Sequence, residues 1–498
     1  MRILGISSQF HDAAATVIDN GKIVFAGHAE RYSKHKNDPF LNHDLIKDAL
    51  EHGTPDVIVL HEKDWAKRVR NVLAGNWSAL REPSATWWIR KFYPELDGIP
   101  IKSYWHHETH AAAGVLTSDY DECAVMVIDA IGEFNCSTIW HWKDGKLEKK
   151  ASANFPNSLG LFYSAVTEWV GLKPMEDEYI LMGMAAYGDS DRAKKIKHTM
   201  QEMYFKKDSL LGMKENLQKG IPKYHFLTED NFDMALAAQM IVEEKVLNWA
   251  WEAKHLTGSK NLVYMGGVAL NCVANSNLEH IFDSIHIMPN PGDAGSSLGA
   301  AALEYYKTTG NRVEWSGPYL GREISGPYPV QKALKSLERN AIFGIANGRA
   351  EFGPRALGNR SLMADPRGGD IKNRLNEIKR RQKFRPFAPV IMEEYVHQYF
   401  EVPEGFTSPY MQFVAKCRYP DAYPAIVHAD GTSRVQTVNK EQHPGLYKLL
   451  KEFMARTGCP MLVNTSLNIK GQPIVNDEID AQEFEKHYGI KVHLHDNI

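Results

Sequence analysis

The amino-terminal stretch Arg2-Ile3-Leu4-Gly5-Ile6-Ser7-Ser8-Gln9-Phe10-His11-Asp12-Ala13-Ala14-Ala15-Thr16-Val17-Ile18-Asp19-Asn20-Gly21-Lys22 decides the fold. An apolar run is followed by a small and acidic loop, a second apolar run and an Asn-Gly turn. Asn-Gly between apolar runs is a strong hairpin signal, because both residues tolerate the positive φ of a two-residue turn. Residues 2–26 therefore read as strand, loop, strand, turn, strand. Residues 124–147 repeat the pattern: Ala124–Ile128, the loop Asp129-Ala130-Ile131-Gly132-Glu133, Ser137–Trp142, then the turn Lys143-Asp144-Gly145-Lys146.

Two such starts, one near residue 2 and one near 124, predict a duplicated α/β domain whose halves face each other across a cleft. That is the plan of the actin-like (ASKHA) ATPase folds, although two unrelated hairpins carry the same pattern. A further strand, Leu262–Met265, runs into Gly266-Gly267-Val268-Ala269, with a helix expected from Asn271. A glycine pair at a helix start lets backbone N–H groups approach an anion. The loop Pro289-Asn290-Pro291-Gly292-Asp293-Ala294-Gly295 enters another helix on small residues, which suits a nucleotide laid on backbone or a plain helix cap. Between Gly310 and Pro329, the residues Gly317, Pro318, Gly321, Gly326 and Pro327 read as a linker. The division expected is 1–325 and 326–498.

Composition agrees with a large globular protein. At roughly 100–200 residues per domain, 498 residues exclude a single small module. With 43% hydrophobic and 24% charged residues, disorder and coiled coil are excluded. No stretch reaches the roughly 18 uninterrupted apolar residues of a membrane span. The opening apolar run ends too early for a signal peptide, so the expectation is cytoplasmic, with no membrane partner. Cys123, Cys136, Cys272, Cys417 and Cys459 show no zinc or disulfide spacing and read as reduced core thiols. Since 58 Lys and Arg meet 61 Asp and Glu, the net charge is -3, and attraction to nucleic acid needs a local patch.

Three groups of residues carry chemistry. His106 and His110 stand four apart in the helix-prone Trp105–Ala113, on one face, a spacing that chelates a metal or simply decorates a surface. Glu108 is misplaced for H-E-x-x-H, so a zinc protease is excluded. Asp293 is the best third ligand; two imidazoles and a carboxylate leave positions open on Fe(II), Zn(II) or a similar ion. His11-Asp12 occupies the first cleft loop, where a histidine orients or deprotonates a hydroxyl. Asp129 and Glu133 occupy the matching second loop, a place for Mg²⁺ or a ribose. Beyond residue 325 the chain turns basic, with Arg349, Arg355, Arg360, Lys379, Arg381 and Arg385 on glycine- and proline-stiffened segments. Arg434 and the run Asn464-Thr465-Ser466 follow. Guanidinium forks on such loops match phosphate oxygens.

Taken in order, these segments resemble the O-carbamoyltransferase family of nodulation and antibiotic-biosynthesis enzymes (NodU/CmcH type). The resemblance covers nearly the whole chain, through His11-Asp12-Ala13-Ala14, His106-x-x-x-His110, Met182-Gly183-Met184-Ala185-Ala186-Tyr187-Gly188, Gly266-Gly267-Val268-Ala269-x-Asn271, Gly292-Asp293-Ala294-Gly295 and the carboxy-terminal segments. It implies an actin-like domain followed by a YrdC-like α/β domain, with ATP (as its Mg²⁺ complex) and carbamoyl phosphate as co-substrates. In the implied chemistry, carbamate attacks the α-phosphate of ATP to give carbamoyladenylate, whose carbamoyl group passes to an acceptor hydroxyl. By matching motifs, Arg355, Lys379, Arg385, Arg434 and Ser466 hold phosphates and carbamoyl group. His106, His110 and Asp293 bind Fe(II) or another divalent transition metal, and His11 with Asp12 lies near the reacting carbonyl. Asp129, Gly132, Gly266, Gly267, Val268, Asn271 and Asn464 are the candidate nucleotide contacts. One departure stands out: the family's lysine before Met182-Gly183 is absent, the chain having Glu178-Tyr179-Ile180-Leu181.

The acceptor is expected to meet variable inserts. Residues 64–94 interleave Trp65, Trp77, Trp87 and Trp88 with arginines and lysines, which fits stacking on bases or an amphipathic packing helix. Residues 192–226 read as a lid. A small hydroxylated molecule is the default acceptor and a nucleic acid with a modified base the variant; a homodimer is compatible. A tRNA threonylcarbamoyl-type transferase and a non-catalytic actin-like module are the alternatives. The first normally uses separate chains, and the second has no use for the carboxy-terminal arginines.

Overall fold

The computed structural model describes residues 1–339 and 341–496, which divide into two compact units. The first comprises Met1–Ala26 and Pro39–Trp315; the second comprises Gly27–Asp38 and Ser316–Ile498.

In the first unit, β1 (Arg2–Ser7), β2 (Ala14–Asp19), β3 (Lys22–His28), β4 (Val57–Leu60) and β5 (Ile101–Ser103) form a sheet of order β3-β2-β1-β4-β5. A second sheet is built from β6 (Cys123–Ile128), β7 (Asn135–Lys143), β8 (Lys146–Asn154), β9 (Asn261–Met265) and β10 (Ser284–His286). Its order, β8-β7-β6-β9-β10, is the same counted along the chain. The senses match as well: β1 and β6 each pair antiparallel with the next strand and parallel with the fourth. The hairpin turns are as expected. Asn20 and Gly21 have φ of 49° and 88°, Asp144 and Gly145 of 50° and 69°, the doubled positive φ of a type I′ turn.

Strands β1 and β6 are buried almost throughout, because helices cover them. The helix Gly295–Thr309 lies so close to β1 that a Cβ on Gly5 would stand 2.0 Å from the Ser297 carbonyl oxygen. A Cβ on Gly299 would stand 1.9 Å from the Thr109 carbonyl oxygen of the helix His106–Leu116. The small residues of Gly295–Ala301 thus serve close packing of helix on strand and helix on helix. Beyond Asn271 the expected helix is a single turn, Cys272–Asn275.

The second unit is an eight-stranded mixed sheet. Its strands are β12 (Phe343–Ala346), β14 (Arg360–Ala364), β15 (Ala388–Met392), β16 (Phe400–Glu401), β17 (Phe413–Cys417), β18 (Thr432–Val438), β19 (Met461–Ser466) and β20 (Val492–His493). The order is β16-β17-β18-β15-β19-β14-β12-β20. A separate pair joins β11 (Tyr319–Ile324) to β13 (Gly348–Glu351). Strand β11 therefore lies inside the stretch read as linker: its Leu320 and Gly321 carbonyls are held by the Arg349 guanidinium, a partner that glycine and proline counts do not reveal. Phe343, Leu362, Val390, Leu449 and Leu462 are central to the core.

Arg360, fully buried, donates to the carbonyls of Asn347, Gly348, Asn359, Asn476 and Arg322, while Glu351 Oε1 accepts from the N–H groups of Leu357, Asn359 and Arg360. Buried charge here is answered by backbone, which fixes the loop 352–359.

Candidate active site

Four side chains converge in the first unit. His106 and His110 project from the first turns of their helix, Asp129 follows the end of β6, and Asp293 precedes the helix Gly295–Thr309. The helix starts where it does because the Glu133 carboxylate accepts the His106 N–H at 3.1 Å, occupying an N–H that the helix leaves unpaired. The two Nε2 atoms are 3.1 Å apart. Asp129 Oδ2 lies 3.1 Å from His106 Nε2 and 3.4 Å from His110 Nε2; Asp293 Oδ1 lies 3.4 Å and 3.3 Å from the same atoms. All four are buried.

Burial disfavours imidazolium, but Asp293 and Asp129 outweigh it and hold the His106 pKa well above its usual value. Burial likewise opposes the Asp129 carboxylate, and the two histidines more than reverse that, keeping its pKa well below the usual range. The set fits a metal ion. Four ligands about 2.0–2.1 Å from a common centre in tetrahedral array are about 3.3–3.4 Å apart, and five of the six separations here are 3.1–3.4 Å.

The loop bearing His11 is strained, with φ of 72° at Gln9 and 55° at Asp12. Asp12 Oδ2 stands 3.0 Å from His11 Nδ1. Burial disfavours the His11 imidazolium, yet Asp12, with Asp293 and Asp129 in electrostatic reach, raises the pKa to about 10. Glu178, whose carboxylate accepts from Ser164 Oγ and the Met175 N–H, is pushed up by burial and feels the His11 charge. His61 is pushed down to about 4 by burial, with Glu62 raising it and the neighbouring His106 lowering it.

Gly132 lies beside His106, and its carbonyl accepts from Arg70. Gly266 takes φ of 91°, and the Gly267 N–H donates to Asp129 Oδ1 at 3.1 Å, so the glycine pair is tied to the cluster. Val268 belongs to the short helix Gly267–Leu270. Asn271 exchanges hydrogen bonds with Gln239, which also accepts from the Tyr163 hydroxyl, in a polar network set apart from the histidines.

In the second unit, Lys379 Nζ is buried and donates to the Ser466 carbonyl, Ser466 Oγ and Asn468 Oδ1. Burial first, then Arg381 and Arg385, push its pKa well below the usual lysine value. Asn464 donates to Gln436 Oε1. Alternation along a strand puts Arg434 on the face of Gln436 and Ser466 on the face of Asn464, so all four share one face of the sheet. Arg355 sits half-buried in the loop that Glu351 and Arg360 hold. The partners Gln436 and Asn468, and Glu178 in the first unit, carry no motif of their own; Glu133, expected beside Mg²⁺ or a ribose, instead accepts the His106 and Lys63 N–H groups.

Two family models match the chain: "Carbamoyltransferase N-terminus" over residues 2–302 and "Carbamoyltransferase C-terminus" over 334–498. An uncharacterized protein of Synechocystis is 33% identical, the match covering 96% of this chain and 93% of the relative. Nodulation protein NolO of Bradyrhizobium diazoefficiens is 35% identical over 76% of this chain and 75% of its own. The 3'-hydroxymethylcephem-O-carbamoyltransferase of Amycolatopsis lactamdurans is 29% identical over 96% and 95%. The class these matches define is a group-transfer enzyme. The chain belongs to the carbamoyltransferase family. No helix among the described residues is long and apolar enough to cross a membrane.

Proposed function

We propose that the protein is an ATP-dependent O-carbamoyltransferase that makes carbamoyladenylate in residues 326–498 and transfers its carbamoyl group in residues 1–325. The observation that carries the reading is the buried, converging His106/His110/Asp129/Asp293 set in a chain matched by both family models. The identical strand order of the two sheets supports a duplicated actin-like first domain. The YrdC-like character of the second rests on the family resemblance.

In the second domain, carbamate formed from carbamoyl phosphate attacks the α-phosphate of ATP, delivered as its Mg²⁺ complex, and pyrophosphate leaves. Lys379, Arg385, Arg434 and Arg355 answer the phosphate charge, which is the main demand of phosphoryl chemistry. Ser466 and Asn464 add neutral donors. In the first domain, the acceptor hydroxyl attacks the carbonyl of the mixed anhydride, AMP leaves and the hydroxyl proton passes to solvent, while the His11 imidazolium, kept charged beside Asp12, donates to the oxygen on which negative charge develops. Asp12 orients the imidazole, a pairing that fixes which ring nitrogen works. His106, His110, Asp129 and Asp293 would hold a divalent ion, Fe(II) by the resemblance, whose contribution is Lewis acidity toward a carbonyl. Gly132, Gly266, Gly267, Val268 and Asn271 border the nucleotide. The acceptor is an alcohol on a small hydroxylated molecule or a nucleotide. Five free cysteines, all buried, suit a reducing, cytoplasmic compartment.

Pyrophosphate release tests the reading. It should require carbamoyl phosphate and vanish in Arg434→Ala. ATP turnover indifferent to carbamoyl phosphate would remove it in favour of an actin-like ATPase module.

A further inference from the structure

Between β4 and β5 the chain inserts the helix Asp64–Leu73, the short helix Trp77–Arg81 and the helix Ala85–Phe92. The inward face of the first helix is in use: Ala66 and Arg70 are buried, and Lys67 donates to Glu62 and to the Gln9 carbonyl. The outward face is not. Trp65, Val69 and Leu73 recur every fourth residue, forming one stripe, and are 60%, 43% and 77% exposed. Trp77, 69% exposed, extends the stripe on the short helix packed against it. The third helix is tied in by the Ala85 N–H on the Asp64 carboxylate. It presents Trp87 with Lys91 Nζ 4.4 Å over the ring. Contiguous apolar exposure of this kind marks an interaction site.

Charge selects the occupant. Residues 61–92 contain seven cations (Lys63, Lys67, Arg68, Arg70, Arg81, Arg90, Lys91) against three acids (Glu62, Asp64, Glu82), a net of +4 in a chain of net -3. Lys67 is answered by Glu62, Arg70 turns inward onto the Gly132 carbonyl, and Arg90 is answered by Asp97 and the Leu96 and Ile99 carbonyls. Arg81 and Lys91 form no ion pair among the described residues. A second copy of this chain docked face to face would set Arg81 and Lys91 against their own counterparts, like charge on like charge, which disfavours a symmetric dimer here. An uncharged sugar chain would leave the cations unanswered. Aromatic faces with available cations between them are the recognition surface of single-stranded nucleic acid, bases stacking while phosphates meet cations.

The stripe also leads to the chemistry. Trp65 packs edge-on to Trp105 at 5.9 Å, the residue directly before His106. Lys63 lies 5.4 Å over the Trp105 ring, and its N–H shares the Glu133 carboxylate with His106. We propose that this face binds single-stranded nucleic acid and presents an alcohol on one nucleotide to the transfer site. That alcohol oxygen forms the new bond to the carbamoyl carbon, the bond from that carbon to the adenylate phosphate oxygen breaks, AMP leaves, and the hydroxyl proton passes to solvent. The acceptor half rests on the O-carbamoyltransferase reading; the docking half does not.

Fluorescence anisotropy of a labelled single-stranded oligodeoxynucleotide, with the full chain and without ATP or carbamoyl phosphate, tests the docking half. Trp65→Ala/Trp77→Ala should weaken binding by about tenfold or more at every salt concentration. Arg81→Gln/Lys91→Gln should lower the slope of log Kd against log salt by about 1–2. No binding at low salt, or both variants binding like the unaltered protein, overturns the platform and leaves carbamoyl transfer standing. Sedimentation of a dimer that Trp77→Ala converts to a monomer overturns it as well, in favour of a second copy. If a bound oligonucleotide carrying a hydroxymethylated base takes up no label from labelled carbamoyl phosphate while pyrophosphate release proceeds, the acceptor half fails alone.

Discussion

Asp129 divides its carboxylate between two partners: Oδ2 stands 3.1 Å from His106 Nε2, and Oδ1 accepts the Gly267 N–H at 3.1 Å. The residue thus joins the glycine turn after β9 to the histidine pair. Elemental analysis separates the two roles open to it. Asp129→Asn and His106→Ala should both purify with metal content near background, against one ion per unaltered chain, because losing one of four ligands removes charge or a donor from the set. A metal content unchanged in Asp129→Asn, with weakened ATP binding, would return the residue to the nucleotide.

Lys379 sits where burial and two arginines oppose its charge, anchored by Ser466 and Asn468, so that an arriving anion would favour its charged form. Lys379→Met should therefore lower carbamoyl-phosphate-dependent pyrophosphate release by about 100-fold or more, the scale of losing one charge-stabilising group. Lys379→Arg should not rescue, since a planar fork cannot reproduce three donor directions from one nitrogen. Near-normal release in Lys379→Met would leave the lysine a structural post for β19.

Arg360 belongs to the same basic segment by sequence, yet it binds backbone. Arg360→Met should cost about 3–5 kcal/mol, because five carbonyls lose their buried donor and the buried Glu351 carboxylate loses a nearby positive charge. Chemical denaturation measures it. A variant of unaltered stability that has lost pyrophosphate release would make Arg360 a ligand contact instead.

That contrast shows what the sequence carries. The turns Asn20-Gly21 and Asp144-Gly145 are legible because a hairpin is specified by residues in contact along the chain. The pair His106 and His110 is legible for the same reason, being one helical turn apart. Asp129 joins them only through the pairing of distant strands, and no local pattern distinguishes it from Glu133, which instead anchors the helix. In the basic segment, composition counts arginines but cannot say whether a guanidinium meets phosphate or carbonyl. Residues 27–38 give no sign that they fold with the second unit; Arg31 reaches the Gly353 carbonyl, 322 positions on.

His443 ties the second unit's stability to pH. Its Nδ1 accepts the Leu446 N–H at 3.1 Å and its Nε2 faces Asn359 Oδ1 at 2.9 Å, between the edges of Tyr319 and Tyr328. The arrangement requires a neutral ring, and burial lowers its pKa to about 4. Above pH 6.5 neither folded nor unfolded chain is protonated there, so the group has no effect on the pH profile. Between pH 6.5 and 4 the unfolded chain takes up a proton that the folded one refuses, so stability falls as the pH falls. The limit is about 3 kcal/mol for this one residue, from about 1.4 kcal/mol per pKa unit. Denaturation midpoints across this range should decline in the unaltered protein and decline less steeply in His443→Gln, even though that variant is weaker at neutral pH. Parallel profiles would mean that His443 titrates alike in both states, and the neutral ring inferred from its two hydrogen bonds would be wrong.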